Sequence, residues 1–254
     1  MKIKLTEKYL SKNSIAWYLI FEIEWTFEYK SWQFIMMEMD SQEYVNLVKD
    51  KLSQEDKEKI LKLPKIKRAY SIASCYPWTK ETNKIAFYIK DAWWFSNFLL
   101  NQNIWFEIQI NGPYGHFTNE WNNQNYLFVS VWSGIAPILS IFEEVVKYNK
   151  NYNKIVNLFW ERYLDNIPEI VLNKFQEFEN ENVKSLIYLS KEENIPDKLF
   201  KWHIQDWLEN ALNFLNTKNI SVFICGKSIM VDDIVEKLVN YGINKENIKT
   251  EKYW

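Results

Sequence analysis

Residues 126–149, YLFVSVWSGIAPILSIFEEVVKYN, decide the fold class, because an apolar run of strand length leads directly into an amphipathic helix. The same order recurs toward the C-terminus. Strand-like runs lie at 154–160, 185–190 and 220–226, and helical patterns lie before residue 180, around 203–215 and at 230–242. This alternation predicts a parallel sheet covered by helices on both faces, a Rossmann-like α/β domain over residues 123–254.

The preceding part of the chain has a different pattern. Residues 15–38 are rich in Ile, Phe, Tyr and Trp with rough alternation, and strand signals resume at 67–74, 84–90 and 105–110, the last ending at the turn NGPYG. Residues 41–63 instead place apolar side chains at helical spacing among charges. We therefore predict a mostly antiparallel β domain over residues 1–122 with a helical insertion at about 41–63. No linker separates the two domains, so we expect a ligand site in the cleft between them.

Composition excludes several classes of protein. Hydrophobic residues make up 47% of the 254 positions and charged residues 25%, which is typical of a globular protein. A net charge of -2 gives no general attraction to nucleic acid, and two cysteines exclude a disulfide scaffold. The sequence has no apolar run of signal or membrane-span length, so we expect a cytoplasmic protein with no membrane insertion. We also expect a monomer with no nucleic-acid partner and no metal site.

Four short motifs carry residues suited to nucleotide chemistry. In RAYS, Arg68 offers a planar fork for a diphosphate and Tyr70, on the same strand face, offers a stacking surface; a surface arginine beside a half-buried tyrosine is the alternative. GPYGHFT at 112–118 forms a tight turn, and SGIAP at 133–137 opens a helix after a strand. ICGKSIMV at 224–231 places Cys225 at a strand end, where a buried cysteine with no role is the alternative.

Taken in order, these motifs resemble those of the ferredoxin-NADP reductase family. RAYSIAS matches the flavin motif RxYS, WFSNFL at 94–99 is similar to GxxSNxL, and GPYG, SGIAP and ICGKSIMV resemble GPYG, TGIAP and CGxxxM. The final residues, EKYW, resemble the ExYW terminus of some bacterial members. The resemblance covers residues 15–254 and implies FAD on a Greek-key β-barrel, NAD(P)H on the α/β domain, and hydride transfer between nicotinamide and flavin.

The resemblance also implies roles for individual residues of the flavin site. Arg68 would bind the FAD diphosphate, Tyr70 would stack on the isoalloxazine, and Ser71 would approach its N5. The further flavin-binding positions are Ala69, Tyr88, Trp94, Phe95, Ser96, Gly112, Gly115, Tyr253 and Trp254.

For the nicotinamide nucleotide, the resemblance implies binding by Ser133, Gly134 and Gly226, with Cys225 and Glu251 near the nicotinamide. Ser71, Cys225 and Glu251 would be the catalytic residues. Many NADP-specific members carry Ser-Arg after the third α/β strand. This chain has Ser190 and Lys191 there, with Arg162 after the preceding strand, so we favour NADP(H) over NAD(H) and leave both open.

The tryptophan content departs from the family pattern. The chain has 5 glycines and 13 tryptophans; together these 18 residues would make up about 7% of the chain, the usual share of glycine alone. Tryptophan stands where the family has glycine at several positions: Trp32, Trp94, Trp105, Trp132, Trp160 and Trp202. One hypothesis is that many of these codons are UGA, read as glycine by the source organism, with Trp254 and Trp207 genuine. A divergent, aromatic-rich homologue is the alternative.

The sequence therefore predicts an FAD-dependent oxidoreductase that transfers electrons between NAD(P)H and a one-electron carrier, ferredoxin or flavodoxin. One alternative is an electron-transfer subunit of a larger redox complex. The other is a nucleotide-binding flavoprotein without turnover, which follows if Trp132 is genuine, because an indole there would occupy the space that a diphosphate needs.

Overall fold

The computed structural model describes residues 1–23, 27–92, 94–115, 124–149, 151–194, 199–201 and 204–253. The N-terminal half contains six antiparallel strands: β1 Lys2–Leu10, β2 Ala16–Ile23, β3 Phe34–Asp40, β4 Lys65–Ser71, β5 Lys84–Lys90 and β6 Glu107–Tyr114. Their order is β4-β3-β6-β1-β2-β5. An antiparallel bridge between Ile72 and Phe87 joins the end of β4 to β5, so the two edges of the sheet meet and close a barrel.

Four short helices connect these strands: α1 Ser41–Val48, α2 Gln54–Leu61, α3 Tyr76–Thr82 and α4 Trp94–Leu100. The first two form the insertion between β3 and β4. Asp40 begins α1 by accepting hydrogen bonds from the backbone N–H groups of Gln42 and Glu43, and Ser53 caps α2 through the N–H of Asp56. Tyr44 of α1 packs against Phe98 of α4, which holds the insertion on the barrel.

The C-terminal half is a parallel sheet with helices. Its strands are β7 Asn125–Val131, β8 Lys154–Glu161, β9 Val183–Leu189, β10 Phe200–Lys201, β11 Ser221–Lys227 and β12 Ile248–Tyr253. Its helices are α5 Ile135–Glu143, α6 Glu169–Phe178, α7 Ile204–Leu215 and α8 Ser228–Tyr241. The strand order in the sheet is β10-β9-β8-β7-β11-β12. The chain adds β8, β9 and β10 on one side of β7 and then crosses to add β11 and β12 on the other side. Open α/β sheets bind ligands at such a switch point.

The two halves share a buried apolar cluster. It includes Tyr18 and Tyr88 from the barrel and Phe128 and Ile135 from the α/β half. The Lys90 ammonium at the end of β5 also lies 2.6 Å from the fully buried carboxylate of Glu161 in β8. The predicted fold class, an antiparallel barrel followed by a Rossmann-like domain, is confirmed. The predicted boundary at residues 122 and 123 lies outside the described residues and stays a prediction.

Candidate functional site

The switch point of the parallel sheet is built around a close backbone contact. Gly134 follows β7, and a Cβ there would overlap the carbonyl oxygen of Cys225 in β11. Gly226 has little more room, because a Cβ there would meet the side chain of Met230. Glycine at these two positions therefore lets the strand ends approach each other closely at the edge where open α/β sheets bind ligands.

A chain of hydrogen bonds crosses from the barrel to this edge. The hydroxyl groups of Ser71 and Tyr253 share a hydrogen bond of 2.7 Å, and the Tyr253 hydroxyl also hydrogen-bonds the Cys225 thiol. Register pairs Cys225 of β11 with Glu251 of β12. All three residues that the sequence predicts as catalytic therefore lie in one cluster, with Tyr253 as the link between Ser71 and Cys225.

Burial controls the protonation of this cluster. It raises the pKa of Glu251 to about 7, and a hydrogen bond from the Trp32 indole opposes that shift. Glu251 Oε2 is buried with no hydrogen-bond partner. The pKa of the Cys225 thiol is raised well above its usual range by burial and by the neighbouring Glu251. The cluster therefore holds a neutral thiol beside a carboxyl group that titrates near neutral pH.

On the barrel, Arg68 and Tyr70 share one face of β4, as strand alternation predicts. Burial raises the pKa of the Tyr70 hydroxyl, and the positive charge of the nearby Arg68 guanidinium partly opposes that shift. The Tyr70 ring stacks on Phe95 of α4, with centroids 6.4 Å apart and planes 25° apart. Arg68 and its neighbour Ala69 are exposed. The structure thus brings an accessible guanidinium beside a supported aromatic ring.

Helix α4 begins at Trp94 and lies next to this face. The buried hydroxyl of Ser96 accepts a hydrogen bond from the N–H of Ala92, so it organises the loop before the helix. An open pocket of about 580 Å³ lies between α4 and the insertion helix α1. Its lining includes Tyr44, Lys51, Asp91, Trp94, Asn97 and Asn101.

Two predicted flavin-site elements lie elsewhere on the barrel. Tyr88 is buried in the cluster between the two halves, where its hydroxyl has no hydrogen-bond partner and the charge of Glu161 adds to the burial that raises its pKa. Gly112 and Gly115 bound the end of β6, and the carbonyl of Gly115 accepts a hydrogen bond from the Gln33 side chain.

The candidate phosphate-binding residues gather at the carboxyl ends of β7, β8, β9 and β11. Ser133, half-buried, lies in the turn between β7 and α5. The loops after β8 and β9 run side by side, since the N–H of Lys191 donates to the carbonyl of Arg162 at 2.9 Å and the N–H of Ser190 to that of Glu161 at 3.0 Å. The exposed side chains of Arg162 and Lys191 therefore start from adjacent backbone.

Trp132 stands among these cations. The Arg162 guanidinium carbon lies 5.0 Å from the centroid of its indole ring, and the Lys227 ammonium lies 5.4 Å from it. The indole thus contacts two positively charged side chains. Trp202 and Trp254 lie outside the described residues.

Known proteins resemble this chain in sequence and in fold. No family model matches the chain. The sulfhydrogenase 1 subunit gamma of Pyrococcus furiosus is 30% identical over 145 residues, 56% of this chain and 48% of that protein. One subunit of the Na(+)-translocating NADH-quinone reductase of Methylococcus capsulatus is 23% identical over 210 residues, 76% of this chain and 50% of that protein. The chain thus spans about half the length of these curated relatives.

Among solved structures, a ferredoxin NADP+ reductase from Neisseria gonorrhoeae with bound FAD and NADP matches with a TM-score of 0.72 and 16% identity, over 100% of this chain and 98% of that one. The chain has the ferredoxin-NADP+ reductase fold. The ferredoxin-NADP+ reductase from Plasmodium falciparum with 2'P-AMP also has a TM-score of 0.72, with 20% identity over 99% of this chain and 95% of that one. The fold that the sequence resemblance implies is confirmed.

Within this reductase fold, sequence reasoning missed several residues of the site. Lys227 follows Gly226 directly, and its position at the carboxyl end of a β-strand at the switch point was the signal that could have identified it. Tyr44 belongs to the insertion, and only the packing of α1 against α4 brings it to the Tyr70 face. In the described residues, no helix is long and apolar enough to cross a membrane.

Proposed function

We propose that this protein is an FAD-dependent reductase that accepts electrons from NAD(P)H and passes them to a one-electron carrier, ferredoxin or flavodoxin. The observation that carries the proposal is the cluster of Ser71, Tyr253, Cys225 and Glu251. It joins the barrel to the switch point of the parallel sheet through hydrogen bonds and strand register. The reductase fold and the two redox-subunit relatives support the same activity.

The residues present fit FAD, and they fit the nicotinamide nucleotide with one exception, the Trp132 indole beside Arg162 and Lys227. FAD would be held on the barrel by the exposed Arg68 and by Tyr70, whose ring is already supported by Phe95. The nicotinamide nucleotide would lie at the strand ends that Gly134 and Gly226 bring together, and the unpartnered Glu251 Oε2 is available to a polar group of that ligand. Bound FAD supplies the adapter between two-electron and one-electron transfer.

Each residue of the cluster has a distinct role in this proposal. The neutral Cys225 thiol excludes water from the reacting edge without placing a negative charge beside it. Glu251 holds a proton up to about neutral pH and can orient a bound amide through Oε2. Tyr253 links the two domains through Ser71, so that the two binding surfaces keep a constant separation.

Two variants test the division between the barrel and the α/β domain. Tyr70→Ala should lose retained FAD during purification, whereas Cys225→Ala should keep FAD but slow its reduction by NADPH. Tyr70→Phe, which keeps the ring, is the matched control and should retain the flavin. The measurements are flavin absorbance per protein and anaerobic rapid-mixing reduction with NADPH and with NADH. Equal flavin loss in Tyr70→Ala and Cys225→Ala would contradict the separate roles.

The candidate phosphate-binding residues favour NADP(H), because Arg162, Ser190 and Lys191 cluster at the ends of β8 and β9. Reduction should therefore be faster with NADPH than with NADH at low concentration, and Lys191→Glu should reduce that preference. A preparation that binds flavin yet is bleached by neither nucleotide would instead support a nucleotide-binding flavoprotein without turnover.

A second candidate function is that of an electron-transfer subunit in a larger redox complex. It rests on the relatives, both of which are subunits by name and about twice the length of the matched region. Co-purification of the tagged chain from its own cells distinguishes the two functions. A stoichiometric redox partner would favour the subunit, and a monomeric flavoprotein that reduces ferredoxin or flavodoxin would favour the free reductase.

A further inference from the structure

Three tryptophans occupy backbone conformations that belong to glycine. The φ angle is +81° at Trp32, +79° at Trp105 and +53° at Trp132. Residues other than glycine, asparagine and aspartate rarely adopt positive φ, because their Cβ crowds the neighbouring backbone, and a bulky aromatic residue there is an outlier. The other described residues at positive φ are glycines and small polar residues: Gly112, Gly115, Gly226, Gly242, Asn83, Asn216 and Ser14.

Two of the three tryptophans hold the same position of the same kind of turn. The N–H of Gln33 donates to the carbonyl of Lys30, and the N–H of Phe106 donates to that of Asn103. Each tryptophan is therefore the third residue of a four-residue turn. With φ near +80° at that position the turn is type II, which calls for glycine or asparagine there. Trp132 opens the tight turn between β7 and α5.

Packing differs among these tryptophans: the Trp32 indole is buried, whereas Trp105 lies at the surface. The Trp105 side chain is 64% exposed, so its burial offsets little of the backbone strain. Trp94 and Trp160 also stand at glycine positions of the resemblance, but they lie in α4 and β8, where the backbone suits any residue. The structure therefore separates three strained positions from two that it leaves undecided.

We propose that residues 32, 105 and 132 are glycine in the protein that the source organism makes, because their codons are UGA and its ribosomes insert glycine there. This inference rests on the geometry of the turns, so it does not depend on the proposed function. The chain's 5 glycines and 13 tryptophans agree with it.

Glycine at positions 132 and 32 would change two surfaces of the candidate site. Glycine at 132 removes the indole from between Arg162 and Lys227 and leaves both cations open to an anionic ligand. Glycine at 32 removes the indole that packs against Phe223 and hydrogen-bonds Glu251, which opens space beside that carboxyl group. Both changes make room where the fold binds nucleotides.

The direct test is to sequence the gene and to map the peptides of the native protein by mass spectrometry. UGA codons at 32, 105 and 132, together with glycine in a peptide mass map of the protein from its own cells, are the expected result. UGG codons, or tryptophan in the native peptides whatever the codon, would overturn the inference.

An independent test uses pairs of variants of the recombinant chain. Trp105→Gly and Trp105→Ala remove the same exposed indole, but only glycine relieves the strain at φ +79°. We expect the glycine variant to melt about 2–4 °C above the alanine variant. The matched pair Trp94→Gly and Trp94→Ala, at a 45% exposed tryptophan in a helix, should show the opposite order. A Trp105 pair in which alanine melts at or above glycine would contradict the assignment.

Discussion

Burial of the Glu251 carboxyl group should make the stability of the fold depend on pH in a defined window. Its pKa rises from an ordinary value of 4.5 to about 7 in the folded chain. Between these values the folded state binds a proton that the unfolded state does not, so the free energy of unfolding decreases as pH rises from 4.5 to about 7. At about 1.4 kcal/mol per pH unit, the total decrease is about 3 kcal/mol.

Glu251→Gln removes the titration while keeping the shape of the side chain and an oxygen that can accept from Trp32. We expect the variant to have similar stability to the parent near pH 4.5 and to be more stable by up to about 3 kcal/mol at pH 8.5. Urea unfolding followed by circular dichroism at five pH values between 4.5 and 8.5 measures both proteins at constant ionic strength. The difference between them cancels the titration of all other groups.

Glu236→Gln is the matched control, because it makes the same substitution at an exposed position on α8. The reasoning would be refuted if the Glu251→Gln and parent profiles ran parallel from pH 4.5 to 8.5. It would also be refuted if the variant lost stability as pH rose.

Three further substitutions test other parts of the structure. Lys90→Met should destabilise by about 3–5 kcal/mol in urea unfolding, since it leaves the buried Glu161 carboxylate without its ammonium partner; adding Glu161→Gln should recover part of the loss. Gly134→Ala should lower stability by about 1–3 kcal/mol and weaken NADPH binding, because its Cβ would overlap the Cys225 carbonyl. Trp132→Gly should lower the Kd for NADPH by about tenfold by titration calorimetry, an effect of about 1.4 kcal/mol, while Trp105→Gly should not change it.

Local patterns in the sequence predicted most of the fold. Strand and helix alternation after residue 125 reflects side-chain periods of about 2 and 3.6, and it placed the parallel strands β7, β8, β9 and β11. These patterns missed β1, although its buried Ile3 and Leu5 alternate with lysines, because the charged residues masked the period. They also missed β12, whose lysine-rich IKTEKY becomes a strand only by pairing with β11.

The motifs determined which residues have chemistry suited to the site, and RAYS, SGIAP and ICGKSIMV needed no tertiary information to be found. The arrangement of those residues depended on the tertiary structure. Ser71 and Tyr253 are 182 positions apart, and only closure of the barrel against the parallel sheet makes their hydroxyl groups share a hydrogen bond.

Protonation and strain were likewise decided by the folded structure. The raised pKa of Glu251 results from burial, which no local pattern encodes, and the positive φ of Trp32 and Trp105 occurs in the turns that lead into β3 and β6. The sequence by itself showed too many tryptophans and too few glycines, since composition needs no coordinates. Only the backbone showed which tryptophans stand where Cβ does not fit, because steric exclusion acts between atoms in space.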